Sequence, residues 1–479
     1  MKKITLKHLI WLVIGALMAV QIVYGFAWMV QNIAGFPPFG DSTEYYNLSQ
    51  TLIVDEYRPI LYPLLVRMAD EIAGCLPGVE YQTLLYIVQA LVSLLSIYYF
   101  VRTIAGALYK GQLTAGRYAG IVYFTLYLFC IPMITLFNFT VLTDSLATSM
   151  MLFMLASVTR IFKNDCVSWK DFLLIALSML VEYLIRADRL YTCTLFLVIC
   201  FAVYLVKRRS RAEIKRAAVC MLCCILLSTC LASAINKKTQ QPGVYGRIST
   251  SFAFILLDRV VWPHMAANYE SFPDEIKEIV SFEDAVAFDS HNNNVMYQMA
   301  PLIVEQVGEE KAEELYLEMA AIVFDTQTKL VLFEIMEDIT CMLFTPVTAC
   351  LARHMTISTS YSWNLYCAKT ITPKLAQSWY AYYVHSFLVM FILAGLYTLY
   401  SLIRKKSFGD VAKKLGPGFA LCLIITLWFS IGDGAPPNDR YALLHYIIWT
   451  FWAAGTLLYE SAAWNVSFHS VSHEANLPE

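Results

Sequence analysis

Long apolar stretches constrain the fold of this chain more than any other feature. A helix needs roughly 20 apolar residues to cross the hydrocarbon core of a membrane, and about ten stretches reach that length. They lie near residues 8–30, 81–101, 118–137, 141–159, 172–186, 190–206, 217–236, 380–403, 417–432 and 442–459. The 479 residues are 58% hydrophobic and 15% charged, whereas soluble domains have roughly 45–50% apolar and about 25% charged residues. We therefore predict an all-α polytopic membrane protein with about ten transmembrane helices.

The basic residues predict how these spans are oriented, because cytoplasmic loops retain Lys and Arg. Twenty Lys and Arg residues lie beside the N-terminus or in the loops after the second, fourth, sixth and eighth spans. The short loops on the opposite side hold about five. Both termini are therefore predicted to be cytoplasmic. Residues 1–8 are basic and no small-residue cleavage site follows them, so we interpret the first span as uncleaved.

This topology divides the chain into four parts. Residues 1–236 form a seven-span core whose first outer loop covers 31–80. A long extracytoplasmic segment, acidic and mostly helical, covers 237–379. Three C-terminal spans cover 380–459, and a cytoplasmic tail covers 460–479.

The extracytoplasmic segment has an unbalanced charge in its middle. From Glu270 to Asp338 it holds seventeen acids against three lysines. We interpret this run as a solvated helical face, with a cation-binding surface as the weaker alternative. Residues 329–353 are apolar but carry acids, which favours a helix lying at the membrane interface over an extra pair of spans.

Two acids, Asp41 and Glu44, follow the first span on its outer side. Their spacing has the form of a capping box, in which an N-cap side chain and a glutamate three residues later satisfy the start of a helix. A partly desolvated carboxylate at such a place can also act as a general base toward an attacking hydroxyl. The two interpretations are compatible, because a cap would hold the carboxylate in place.

Asp144 has a similar ambiguity at the outer start of the fourth span. The segment Thr143-Asp144-Ser145 could simply supply a helix cap. Alternatively, Asp144 could bind a sugar hydroxyl or, together with Asp41, a cation. Hard metal ions need more oxygen ligands than we can name here. No cofactor is therefore predicted, and a divalent metal is left open.

Arginines also lie on the predicted outer side, against the usual bias. The dipeptide Asp-Arg occurs three times, ending at Arg189, Arg259 and Arg440, and Arg186 and Arg58 lie in the same set of loops. One interpretation is an ion-pair network that joins the outer ends of the spans. The other is a phosphate clamp, for which the planar fork of arginine is suited. Nearby tyrosines, Tyr441 among them, could line a sugar site or belong to the interfacial aromatic belt.

The order and sidedness of these features resemble the GT-C superfamily of integral-membrane glycosyltransferases, in particular its protein mannosyltransferase and aminoarabinose transferase branch. The similarity covers the first span with Gly40–Pro63, then Thr143–Leu155, then Asp439–Ala442, and the long outer segment after the seventh span. Many members have adjacent acids after the first span, whereas here Ser42 follows Asp41 and the second acid is Glu44.

The resemblance implies a GT-C-like fold and a sugar transfer from a polyprenyl-phosphate donor on the extracytoplasmic face. In such enzymes the acid of the first outer loop activates the acceptor hydroxyl, a role that falls to Asp41 here with Glu44 beside it. Basic residues near the pocket hold the donor phosphate, and the candidates by position are Arg58, Arg189, Arg259 and Arg440. The implied chemistry is an inverting displacement in which lipid phosphate leaves.

Two other functions remain as alternatives, a lipid-linked oligosaccharide transporter and a polysaccharide polymerase or ligase. Carriers place polar groups near the bilayer midplane, and charge is scarce there in this sequence. The expected partners are the polyprenyl-phosphate sugar donor, a glycan, lipid or protein acceptor, and membrane lipids. The net charge of −2 gives no reason to expect a nucleic acid. Glycosylation sequons at Asn47 and Asn138 would crowd an outer pocket, which favours a bacterial plasma membrane.

Overall fold

The structure is a computed structural model. It describes residues 6–33, 41–54, 58–164, 166–186, 189–207, 211–239, 252–290, 299–348, 370–432 and 440–460.

Ten helices make up the N-terminal half of the described chain. They are α1 (Leu6–Asn32), α2 (Ser42–Thr51), α3 (Leu61–Gly74), α4 (Tyr81–Leu108), α5 (Ala115–Phe129), α6 (Pro132–Asn138), α7 (Asp144–Asn164), α8 (Trp169–Ile185), α9 (Arg189–Lys207) and α10 (Arg211–Thr239). Two of them, α2 and α3, belong to the predicted first outer loop.

Short helices, one long helix and three further apolar helices follow. They are α11 (Phe252–Leu256), α12 (Met265–Asn268), α13 (Asp274–Ile279), α14 (Phe282–Ser290), α15 (Ala300–Val307), α16 (Glu309–Leu343), α17 (Pro373–Lys405), α18 (Asp410–Gly432) and α19 (Leu443–Gly455). A π-helical turn, Leu257–Val261, continues α11, and another, Thr456–Glu460, continues α19.

The helical class predicted from the sequence is confirmed, but ten spans are not. Within the described ranges, six helices are long and apolar enough to cross a membrane, and a bent pair would make a seventh. The six lie in α1, α4, α7, α10, α17 and α18. Three further apolar helices are too short to be counted. α8 has 17 residues, the apolar part of α9 is Tyr191–Val206, and α19 has 13 residues.

The predicted span at 118–137 is instead two helices, α5 and α6, bent by 74°. Pro132 stands in the first turn of α6, and Ile131 before it is extended, with φ −62° and ψ 128°. A residue before proline is disfavoured in the helical region, which ends α5 there. The Thr135 hydroxyl donates to the carbonyl of Phe129 at 2.7 Å and satisfies one group freed by the bend.

Loops predicted on opposite sides of the membrane lie at opposite ends of the bundle. At one end, Lys163 donates to the carbonyl of Gly106 at 2.8 Å, and the Tyr459 hydroxyl donates to the carbonyl of Leu108 at 2.9 Å. At the other end, the Ile371 amide donates to Asn32 Oδ1 at 2.9 Å. The segments that carry the predicted site residues meet at this second end.

The segment after α10 has its own apolar core, built from α11 to α16 and including Phe254, Met265, Tyr316 and Met319. The long helix α16 has a non-helical residue, Gln327, at which its direction changes. Beyond this point several of its apolar side chains are exposed, Phe333 at 65% and Met336 at 58%, whereas Val331 and Met342 are buried. Of the residues 329–353, the structure describes those to 348, and from Lys329 to Leu343 they form one continuous helix with a partly exposed apolar face.

Candidate functional site

Asp144 is the centre of an ion-pair network at the outer end of the bundle. Its Oδ1 accepts from Arg186 Nη1 at 2.6 Å and its Oδ2 accepts from Arg440 Nε at 2.7 Å. The Asp144 side chain is 1% exposed. Ion pairs taken out of water need well-placed partners to offset desolvation, and Asp144 has two. The ends of α7 and α8 and the segment before α19 are thereby joined.

Arg440 also reaches the first outer loop. Its Nη2 lies 3.0 Å from Asp41 Oδ2, so one guanidinium bridges Asp144 and Asp41. Arg58 lies on the other side of Asp41, at 3.9 Å from Oδ1, and forms an ion pair with Glu44. The network is graded in exposure, because Asp41 and Glu44 are 35% and 55% exposed. The two acids proposed for catalysis therefore form its accessible edge.

The Asp144 end of the site is held by buried polar contacts below it. Gln89, on α4, donates from Nε2 to the carbonyl of Asn138 at 3.0 Å and of Thr140 at 2.8 Å. Ser145 Oγ donates to the side chain of Asn138. These contacts fix the turn between α6 and α7 and so the place where α7 starts. Asn138 is fully buried, and it is therefore not available for glycosylation in this fold.

The Asp41 end is held through two tyrosines. Tyr45, on α2, packs edge-on against Tyr62 with ring centroids 4.8 Å apart. The Tyr62 hydroxyl donates to Oε1 of Gln89 at 2.8 Å. Gln89 therefore supports both carboxylate-bearing segments, through α2 and α3 on one side and the α6–α7 turn on the other.

The Asp41 side chain does not cap the helix that follows it. Asp41 stands at the N-cap position of α2, but its side chain accepts no capping hydrogen bond. Its carboxylate faces Arg440 and Arg58 instead. Asp144 stands in the first turn of α7, where the helix dipole favours a negative charge. Both of its oxygens are nevertheless bound to arginines.

The arginines set the protonation of Asp41. Burial raises the pKa of this carboxyl, but the charges of Arg440, Arg58 and Arg186 outweigh burial and hold the pKa below its usual value. Conversely, burial lowers the pKa of Arg440, and the charge of Asp144 more than compensates. Asp41 is therefore ionised at neutral pH.

Among the residues that the structure describes, opposite charges in this network are equal in number. Three carboxylates (Asp41, Glu44, Asp144) face three guanidinium groups (Arg58, Arg186, Arg440). The sequence-based expectation of an ion-pair network between the outer loops matches these contacts. A phosphate bound here would have to share arginines with the carboxylates that now hold them.

Tyr441 forms one aromatic wall of the site. Its ring stacks on Phe429 with centroids 4.1 Å apart and planes 5° apart. The Arg186 guanidinium lies over the Tyr441 ring, 5.1 Å from the ring centroid. Such a cation–π contact restricts where the arginine can point.

Arg259 does not join this network, which corrects the expectation that it shares the pocket. It is 8% exposed and pairs with Asp338 on α16, within the separate core of the outer segment. Nearby, His264 Nε2 lies 3.1 Å from Glu334 Oε2. These acids, predicted to be a solvated face, thus hold the start of this segment against α16. Burial raises the pKa of Asp338, and the charge of Arg259 opposes that rise.

Two further expectations concern Arg189 and a possible metal site. Arg189 begins α9, but its side chain lies outside the described residues, as do the aspartates of two Asp-Arg dipeptides, Asp188 and Asp439. In the described part of the chain, no group of three or more His, Cys, Asp or Glu side chains could hold a metal ion.

Sequence reasoning missed Gln89 and Tyr62 as residues that organise the site. A glutamine in the middle of an apolar span was the available signal, because a buried amide must find partners for its donors and acceptor. No protein-family model, no curated protein and no solved structure matches this chain.

Proposed function

We propose that this chain is an integral-membrane glycosyltransferase that uses a polyprenyl-phosphate sugar donor and acts at the end of the bundle that carries the ion-pair network. Asp41 is the general base that takes the proton of the acceptor hydroxyl. The observation that carries the proposal is the exposure of Asp41. It shares Arg440 with the buried Asp144 yet remains accessible to a substrate.

In the proposed reaction, the acceptor oxygen attacks the anomeric carbon from the side opposite the phosphate. The new carbon–oxygen bond forms as the bond from that carbon to the phosphate oxygen breaks. The hydroxyl proton passes to Asp41, and the lipid phosphate leaves with the bonding electron pair. Glycosyl transfer passes through a transition state with oxocarbenium character. As the acceptor oxygen bonds to the anomeric carbon, its proton becomes more acidic. A carboxylate with a lowered pKa can therefore accept that proton.

The network couples this proton transfer to the leaving group. While Asp41 is ionised, it is a counter-ion for Arg440 and Arg58. Protonation removes its charge, so these arginines interact more strongly with the phosphate at the moment when negative charge develops there. Pre-placed cations of this kind stabilise a transition state without reorganisation. Asp144 keeps Arg186 and Arg440 in position throughout.

A transfer assay with radiolabelled polyprenyl-phosphate sugars tests the proposal. Asp41→Asn should lose transfer while it remains inserted and monodisperse. The matched control is Asp70→Asn, which removes the same charge from α3 in the same outer loop and should retain transfer. Asp41→Glu should recover part of the activity, because a carboxylate is restored. Wild-type transfer by Asp41→Asn would disprove the role of this base.

A reconstituted assay separates the proposal from the carrier alternative. Proteoliposomes loaded with labelled donor should release sugar only as a covalent product on the acceptor. Movement of intact donor across the bilayer without product would instead identify a transporter.

A further inference from the structure

A second site lies at the opposite end of the bundle from the ion-pair network. A cavity of about 480 Å³ opens there between α4, α7, α9 and α18. Three lysines line it, Lys163, Lys413 and Lys414, and the described ion pairs of the outer network involve none of them. Its remaining wall is mostly apolar.

The lysines come from two helix ends. Lys163 stands in the last turn of α7, and its Nζ donates to the carbonyl of Gly106 at 2.8 Å. Lys413 and Lys414 stand near the start of α18, where a helix dipole disfavours positive charge. The stability of α18 therefore does not explain them. The positive end of the helix and the two ammonium groups together favour an anion.

Neighbouring acids offset only part of this charge. Asp410 Oδ1 lies 3.7 Å from Lys413 Nζ, which also donates to Ser407 Oγ at 2.6 Å. Glu460, which is not part of the cavity lining, accepts from the Val411 amide at 3.0 Å. Within the described ranges, Asp410 is the acid that pairs with one of the three lysines, and the cavity lining keeps an excess of positive charge.

The apolar wall indicates what kind of anion fits. Ile199 and Val203, on α9, are 39% and 43% exposed. Phe162 and Tyr204 also line the cavity and pack edge-on, with ring centroids 6.1 Å apart. In a helical membrane protein, exposed apolar side chains within the hydrocarbon core face acyl chains. A ligand with a phosphate at one end and a hydrocarbon chain at the other would satisfy both parts of the cavity.

We propose that this lysine cavity binds the phosphate head group of an anionic phospholipid, with an acyl chain along Ile199 and Val203. Basic pockets between spans on the cytoplasmic side of membranes bind such head groups. A free phosphate would contact the lysines but would leave the apolar wall without an apolar ligand group against it. The site is separate from the proposed catalytic end and does not depend on its function.

Native mass spectrometry of the purified full chain tests the proposal with phosphatidylglycerol as the probe. Lys413→Gln/Lys414→Gln should weaken binding by tenfold or more, since one basic residue near a membrane surface changes binding about fivefold. Lys405→Gln/Lys406→Gln is the matched control, because it removes the same charge from exposed residues outside the cavity. That control should bind like the wild type. Thermal unfolding without added lipid checks that both variants fold.

Three outcomes would overturn the proposal. Equal loss in both double variants would mean that surface charge alone attracts the lipid. Equal binding of zwitterionic phosphatidylcholine would mean that the lysines do not recognise the head group. Displacement of phosphatidylglycerol by inorganic phosphate at equal concentration would mean that the cavity binds free phosphate and not lipid.

Discussion

Arg440 and Asp144 are joined by a 2.7 Å hydrogen bond although 296 residues separate them in the chain. The bond connects the start of α7 to the segment that leads into α19. The same guanidinium then continues to Asp41, 3.0 Å away, in the first outer loop. One arginine thus fixes the position of the residue proposed as the base relative to the body of the bundle.

Asp144→Asn should destabilise the protein by about 3 kcal/mol, because it removes the buried counter-ion that two partly buried guanidinium groups share. Thermal unfolding in detergent measures the loss as a lower Tm. Glu71→Gln is the control. Its ion pair with Arg67 is 42% and 66% exposed, and exposed pairs contribute only about 0–1 kcal/mol. Equal Tm values for the two variants would show that the buried network does not stabilise the fold.

The pH dependence of transfer should report the lowered pKa of Asp41. A carboxyl with a pKa lowered by folding is ionised above its unfolded value, about 3.9, and loses its charge only as the pH falls through the still lower folded value. We therefore expect no acid loss of kcat/KM from Asp41 at neutral pH. Arg58→Gln removes one of the charges that lower this pKa. The acid limb of the profile should then move to higher pH, and an unchanged limb would exclude Asp41 as the titrating base.

Gln89→Leu should weaken both halves of the site at once. The substitution removes the hydrogen-bond partner that the buried carbonyls of Asn138 and Thr140 and the Tyr62 hydroxyl share. Each unsatisfied buried group costs about 1–3 kcal/mol. Hydrogen exchange should become faster in α2 and at the start of α7. Gln50→Leu is the control, since Gln50 is exposed on α2, and it should leave exchange at α7 unchanged.

Gly25→Ala should destabilise the packing of α1 by about 1–3 kcal/mol, the usual range for an overpacked core. A Cβ at Gly25 would lie 2.7 Å from Cys130 Cβ and 2.8 Å from its Sγ. At Gly15, on the same helix, a Cβ would meet no heavy atom within 4 Å. Gly15→Ala should therefore be neutral or stabilising in the same unfolding assay, since alanine favours a helix.

The site is partly predictable because charge placement is a local property. An acid or arginine directly beside a long apolar stretch must lie near the membrane surface, since burial of an unpaired charge in hydrocarbon is costly. This criterion selects Asp41, Asp144, Arg186 and Arg440, and the structure brings them together. Arg259, grouped with them only because it lies in an outer segment, is elsewhere in the structure. Residues on one side of a membrane share a plane, but sequence does not tell which of them are neighbours within it.

Span boundaries are less predictable than the existence of apolar helices. Hydropathy averaged over about 20 residues does not register a bend, so it predicts one span at 118–137, whereas Pro132 divides this stretch. The same averaging hides Gln89 within an otherwise apolar helix. Its importance comes from three contacts that residues far apart in the chain supply.

The sequence by itself determined that the chain is helical, that apolar helices dominate it, and that charged residues lie beside the ends of the apolar stretches. These properties follow from the composition and the order of residues, because apolar stretches are stable in hydrocarbon and charged residues are stable at its surface, whichever helices are neighbours. Tertiary structure alone decided that Asp41 pairs with Arg440 and not with the start of its own helix. It also decided that Asp144 is buried and Asp41 accessible. Such choices depend on distances of a few ångströms between segments brought together by packing, where Coulomb energies change steeply.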